Sequence, residues 1–167
     1  MVQKNPSLPF QTAVRALETF TQCEMPYVIV GGAALVLHGI PRSTLDVDIV
    51  IPAERETIIK VLKATSKIGL RCQQSNLLSL IDKPDLVIGQ WITFEDRAGR
   101  QLIDVFLEEV KQFKKLYRHS IKRKHQKMDF HIASLPDLEK MKKASGRPID
   151  LADLALIREI KKIRKSK

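Results

Sequence analysis

Val30-Gly31-Gly32, followed after thirteen residues by Asp46-Val47-Asp48-Ile49-Val50, is the stretch on which the reading of this chain turns. Tyr27-Val28-Ile29-Val30 is aromatic and β-branched, so it reads as a strand, and Gly31-Gly32 closes it. Leu45 to Ile51 reads as a second strand, yet it carries two aspartates. Aspartate is depleted in strands because it favours turns and resists burial. At positions i and i+2 of a strand, Asp46 and Asp48 point to the same face, with Cα atoms about 6.6 Å apart. Val47, Ile49 and Ile51 then point into the core. Two carboxylates this close repel each other and raise each other's pKa unless a cation neutralises them.

Asp104 repeats the anomaly in Leu102-Ile103-Asp104-Val105-Phe106, again a strand with one carboxylate among apolar residues. If that strand lies beside the first, three carboxylates converge. Hard oxygen donors in such a set suit Mg²⁺ or Mn²⁺ rather than zinc, and no Cys/His ligand set competes. Glycine at a strand end lets the backbone approach a ligand closely, and the free N–H groups of a following helix favour phosphate. Each feature has a plainer alternative. Taken alone, a Gly-Gly pair is far more often a turn than a phosphate site, while Asp46 and Asp48 also read as a solvated sheet face and Asp104 as an ion-pair partner.

The rest of the chain reads outward from these strands. Helices are expected over residues 8–23, where Phe10, Val14, Leu17 and Phe20 recur at helical spacing, and over 33–38, 53–68 and 108–118. The helix over 53–68 places Ile58, Val61, Leu62 and Ile68 on one side. Leu86 to Phe94 reads as a strand, joined to the Asp104 strand by a hairpin turn at residues 95–100. Residues 119–132 read as a short basic strand pair. Ser134 is an expected N-cap for a helix that stops at Gly146, and Asp150 an expected cap for a final helix. Tyr27 and Trp91 are expected in the core, with His38 packed against the short helix. The implied fold is α/β (α+β), a mixed sheet flanked by helices. Residues 1–132 form its core and 133–167 a C-terminal helical segment with a basic tail.

The chain has 167 residues, of which 44% are hydrophobic, enough for a core of its own. No apolar run is long enough to span a membrane, and the N-terminus lacks the apolar region of a signal peptide, so the expected location is cytoplasmic. Cys23 and Cys72 are expected as buried free thiols. The net charge of +10 is uneven. Residues 1–110 hold 11 Lys+Arg and 13 Asp+Glu, a sum of −2; residues 111–167 hold 18 and 6, a sum of +12. A basic half suits a polyanion such as RNA or DNA, or serves as a solvated face.

Gly31-Gly32, Asp46-x-Asp48 and a following strand with Asp104 resemble the signature of the DNA polymerase β-type nucleotidyltransferase superfamily. Arg42-Ser43-Thr44-Leu45-Asp46-Val47-Asp48-Ile49 and Lys142-x4-Arg147-Pro148-x-Asp150-Leu151-x-Asp153-Leu154 resemble the minimal nucleotidyltransferases and AbiEii-type toxins of toxin–antitoxin systems. The resemblance implies transfer of a nucleoside monophosphate from an NTP such as ATP to an acceptor hydroxyl, with release of pyrophosphate. Asp46 and Asp48 would bind two Mg²⁺ ions, with Mn²⁺ as a substitute. Asp104 would hold the catalytic ion and help deprotonate the acceptor. Gly31, Gly32, Arg42 and Lys142 would bind the nucleotide. Many relatives carry serine where this chain has Gly32, so only a backbone N–H is offered there. The basic half favours an RNA acceptor. The alternatives are an antitoxin that AMPylates a partner protein, an antibiotic-modifying enzyme, and a non-catalytic nucleic-acid-binding module.

Overall fold

The computed structural model describes residues 8–125 and 128–166. Helix α1 (Leu8–Gln22) buries Ala13, Ala16, Leu17 and Phe20. Strand β1 (Val28–Val30) follows, then helix α2 (Gly31–Leu37), strand β2 (Val47–Pro52) and helix α3 (Arg55–Lys67). A short strand β3 (Arg71–Cys72), a 3-10 turn at Ser75–Leu80 and a one-turn helix α4 (Pro84–Val87) fill the stretch that has no clear periodicity. Strands β4 (Trp91–Glu95) and β5 (Gln101–Glu108) form the expected hairpin. Helix α5 (Val110–His119) leads to the hairpin β6 (Ile121–His125) and β7 (Met128–Ile132). Helices α6 (Leu135–Ser145) and α7 (Pro148–Lys165) end the chain.

The seven strands make one mixed sheet in the order β3-β4-β5-β2-β1-β7-β6. Central strands β2 and β5 run parallel, and β1 lies antiparallel to β2. Their apolar runs explain their central place: Ile49, Ile51, Ile103 and Val105 are fully enclosed. Each such side chain contributes roughly 1.5–3 kcal/mol by burial. Strand register brings the anomalous carboxylates together. Asp48 pairs with Asp104 across β2 and β5, and with Val30 across β1.

Several boundaries differ from the sequence reading. The strand expected over 86–94 begins only at Trp91, because Pro84 starts a helical turn and Gly89 takes a positive φ of 77°. Trp91 is not a core residue; half of its surface is exposed at the start of β4. Helix α2 starts at Gly31 rather than Ala33. Ser134 caps α6 as expected by accepting from the Asp137 N–H, and Gly146 ends that helix at a left-handed φ of 63°. Asp150 is not the cap of α7. Arg147 is, and Asp150 sits inside the first turn, accepting from the Arg147 backbone N–H at 3.2 Å. Tyr27 and His38 are buried as expected. Both thiols are free, but Cys23 is exposed rather than buried. Among the described residues no helix is long and apolar enough to cross a membrane.

Candidate active site

Asp46, Asp48 and Asp104 come together where the β2–β5 pairing begins, and one carboxylate oxygen from each lies within 4.8 Å of the others. The parallel register sets Asp48 beside Asp104. Asp46 reaches the cluster differently from the period-2 expectation. It lies on the bend just before β2, not inside the strand. Thr44 fixes that bend by donating to the Asp46 carboxylate at 3.0 Å and to its carbonyl at 3.1 Å.

Asp48 is partly buried, with the other two carboxylates beside it. Burial, then the charges of Asp46 and Asp104, push its pKa up to about 6, against the opposing pull of Lys142 and Arg147. A carboxyl so disfavoured as an anion gains most from a nearby cation. Three hard oxygen donors around one point fit Mg²⁺ or Mn²⁺, which keep waters and substrate oxygens in their remaining positions. The donor set therefore fits the implied metal.

Two threonines that the sequence reading did not single out hold the carboxylates in place. Thr44 is one. The other is Thr93 on β4, nearly fully buried, which donates to Asp104 Oδ1 at 2.6 Å. Thr93 faces Asp104 across the β4–β5 pair, a register that sequence spacing does not reveal.

The glycine turn abuts the triad directly. Gly31 has a left-handed φ of 61°, and a Cβ there would run into the Asp48 carboxylate, its Cγ only 2.8 Å away. A Cβ at Gly32 would meet the Arg42 guanidinium, its Cζ at 2.9 Å, and Thr44 Oγ1 at 3.0 Å. Glycine is thus required at Gly31 by its left-handed backbone and by the Asp48 carboxylate, whereas a side chain at Gly32 would have to displace the Arg42 guanidinium.

The remaining cations arrive from the chain's end. Arg42 Nε donates to Asp153 Oδ1 at 2.8 Å. Lys142 is almost fully buried, with Nζ 2.8 Å from Asp150 Oδ1 and 2.7 Å from Asp153 Oδ2. Arg147 Nε lies 2.9 Å from Asp150 Oδ2. These contacts hold Asp150 well below the ordinary carboxylate range against the opposing effect of its burial. The sequence motif thus folds into one ion cluster beside the triad. Lys142, expected at a phosphate, is engaged by two carboxylates.

A family model described as "Nucleotidyltransferase of unknown function (DUF6036)" matches residues 10–163. The chain belongs to this nucleotidyltransferase family. Among solved structures it is similar to that of an antigenic nucleotidyltransferase-like protein from Paracoccidioides brasiliensis. That likeness has a TM-score of 0.54 at 16% identity, covering 90% of this chain and 74% of the other. At that identity the likeness is one of fold. No curated protein matches the sequence.

Proposed function

We propose that this nucleotidyltransferase moves a nucleoside monophosphate from an NTP to a hydroxyl of a nucleic-acid acceptor, using Asp46, Asp48 and Asp104 at a two-Mg²⁺ centre. The convergence of those three side chains across β2 and β5 carries the reading. When bound, Mg²⁺ supplies neutralising charge at the phosphate oxygens and at the attacking oxygen.

The chain's own groups do the rest. The triphosphate is read as lying against backbone N–H groups of the Gly31-Gly32 turn, where the missing Cβ atoms let the Asp48 carboxylate and the Arg42 guanidinium pack directly on the backbone. Arg42 adds guanidinium donors beside it. With Thr93 bound to Oδ1, Asp104 keeps Oδ2 to take up the acceptor's proton. The freed oxygen attacks the α-phosphorus in line. The bond to the bridging oxygen breaks, and pyrophosphate leaves with that electron pair.

The acceptor class rests on charge. Helix α5 exposes Lys111, Lys114, Lys115 and Arg118, and the edge strand β6 exposes Lys122, Arg123 and Lys124. Such a surface suits a phosphate backbone and opposes a cationic drug. An RNA acceptor would give the toxin-like activity that the AbiEii resemblance implies.

The test is labelling by each α-³²P-NTP with Mg²⁺, offered total RNA and cell lysate, with Asp46→Ala/Asp48→Ala as control. Label on an RNA band, lost in the control, supports the proposal. Label on a single protein band moves the acceptor to a partner protein, as for an AMPylating antitoxin. No label in any lane, with no Mg²⁺-dependent NTP binding, overturns the catalytic reading.

A further inference from the structure

The ion cluster on α6 and α7 is costly for the work of stability alone. Lys142 is 5% exposed, Asp150 0% and Asp153 2%. Buried ion pairs lose hydration, and apolar replacements of similar volume commonly stabilise a fold as well or better. What such a cluster does provide is a fixed position for each member.

Its geometry leads to one place. Asp153 is shared. Its Oδ1 accepts from Arg42 Nε at 2.8 Å, and its Oδ2 faces Lys142 Nζ at 2.7 Å. Lys142 is anchored in turn by Asp150, which Arg147 and the first turn of α7 hold. At the other end, Arg42 comes from the irregular stretch between α2 and β2, which has no regular structure to orient a long side chain. The Nε edge of its guanidinium is taken by Asp153, and Nη1 lies against Gly32. A planar fork with one edge pinned presents its other donors in a set direction. Because Lys142 offsets the charge of Asp153, Arg42 keeps its attraction for an anion.

We infer that Asp153 and Lys142 are positioning residues: they do not bind the nucleotide but aim the Arg42 guanidinium over the Gly31-Gly32 turn, so that α6 and α7 set triphosphate affinity. This rests on the reading that the turn takes the triphosphate. It reassigns Lys142 from phosphate ligand to support.

The experiment is a double-mutant cycle on full-length protein. Calorimetry measures the affinity for Mg²⁺ with each of the four NTPs, and for the matching nucleoside. Wild type must bind an NTP more tightly than the nucleoside; failure there removes the nucleotide reading itself and says nothing against the ion cluster. Given binding, Arg42→Ala and Asp153→Asn are each expected to weaken the NTP by about tenfold or more. The nucleoside should be unaffected. In the double variant the loss should be no larger than in Arg42→Ala alone, because Asp153 acts only through Arg42. Losses that multiply, or wild-type affinity in folded Asp153→Asn, overturn the inference. If Asp153→Asn does not fold, the wild type decides by ¹⁵N relaxation of arginine side chains. An Arg42 Nε–H as rigid as the backbone supports the inference, and one as mobile as that of exposed Arg97 overturns it.

Discussion

Replacing Asp48 with asparagine is expected to make the metal-free protein more stable while removing its response to Mg²⁺. Asp48 sits partly buried between two other carboxylates, and its pKa is raised to about 6. A folded-state value above the unfolded one means that the folded protein holds this proton more tightly. Folding therefore carries no penalty from this group below about pH 4, where both states are protonated, and an increasing one as pH rises through about 6. The full penalty at neutral pH is at most about 3 kcal/mol, net of attraction from Lys142 and Arg147. Asparagine keeps the shape and removes the charge. Allowing for solvent screening and an imperfect amide fit, the gain is roughly 1–3 kcal/mol, or about 2–10 °C in Tm for a chain of this size. The assay is thermal unfolding in EDTA and in Mg²⁺ at pH 5.0 and 7.5. Wild type should lose stability between pH 5.0 and 7.5 in EDTA and recover it with Mg²⁺; the variant should show a smaller loss and little recovery. A variant less stable than wild type in EDTA at pH 7.5, or one that Mg²⁺ stabilises as strongly as wild type, would refute the reasoning.

Gly31→Ala should cost at least about 1–2 kcal/mol from its left-handed backbone, more as the new methyl displaces the Asp48 carboxylate, measured by urea unfolding. Thr93→Val keeps the shape of a buried strand residue but removes the hydrogen bond to Asp104. Its turnover at saturating NTP should fall by about 10- to 100-fold with roughly 1.5–3 kcal/mol lost in stability, the worth of a bond to a charged group. Lys114→Glu/Arg123→Glu/Lys124→Glu changes only exposed residues. It should leave Tm within a few degrees and NTP affinity unchanged, while RNA affinity falls and its salt dependence becomes shallower in a titration from 50 to 200 mM salt, about the range over which phosphate contacts lose most affinity.

The helices and central strands of the core were legible because their signals are local. Val28-Ile29-Val30 and Ile103-Asp104-Val105 declare strands by β-branching, and Ser134 and Gly146 mark the ends of α6 through capping chemistry that acts within a turn or two. Residues 84–90 misled because apolar Leu86, Val87 and Ile88 fit a strand by composition, while Pro84 and Gly89 decide the backbone. Trp91 misled for a related reason: aromatic character predicts burial on average, but its position at a strand end next to β5 leaves it half in solvent.

The sequence by itself determined that carboxylates stand where strands should be apolar, that glycine precedes them, and that basic residues gather after position 110. Only the tertiary structure decided that Asp48 pairs with Asp104, that Thr93 and Thr44 hold the triad, and that Lys142 is tied to Asp150 and Asp153. The physical reason is separation along the chain. An aspartate out of place in a strand is anomalous whatever its neighbours, so one segment shows it. Which groups satisfy that anomaly depends on sheet register and helix docking, which bring Arg42 against Asp153 and Asp48 against Asp104 from segments that share no local pattern.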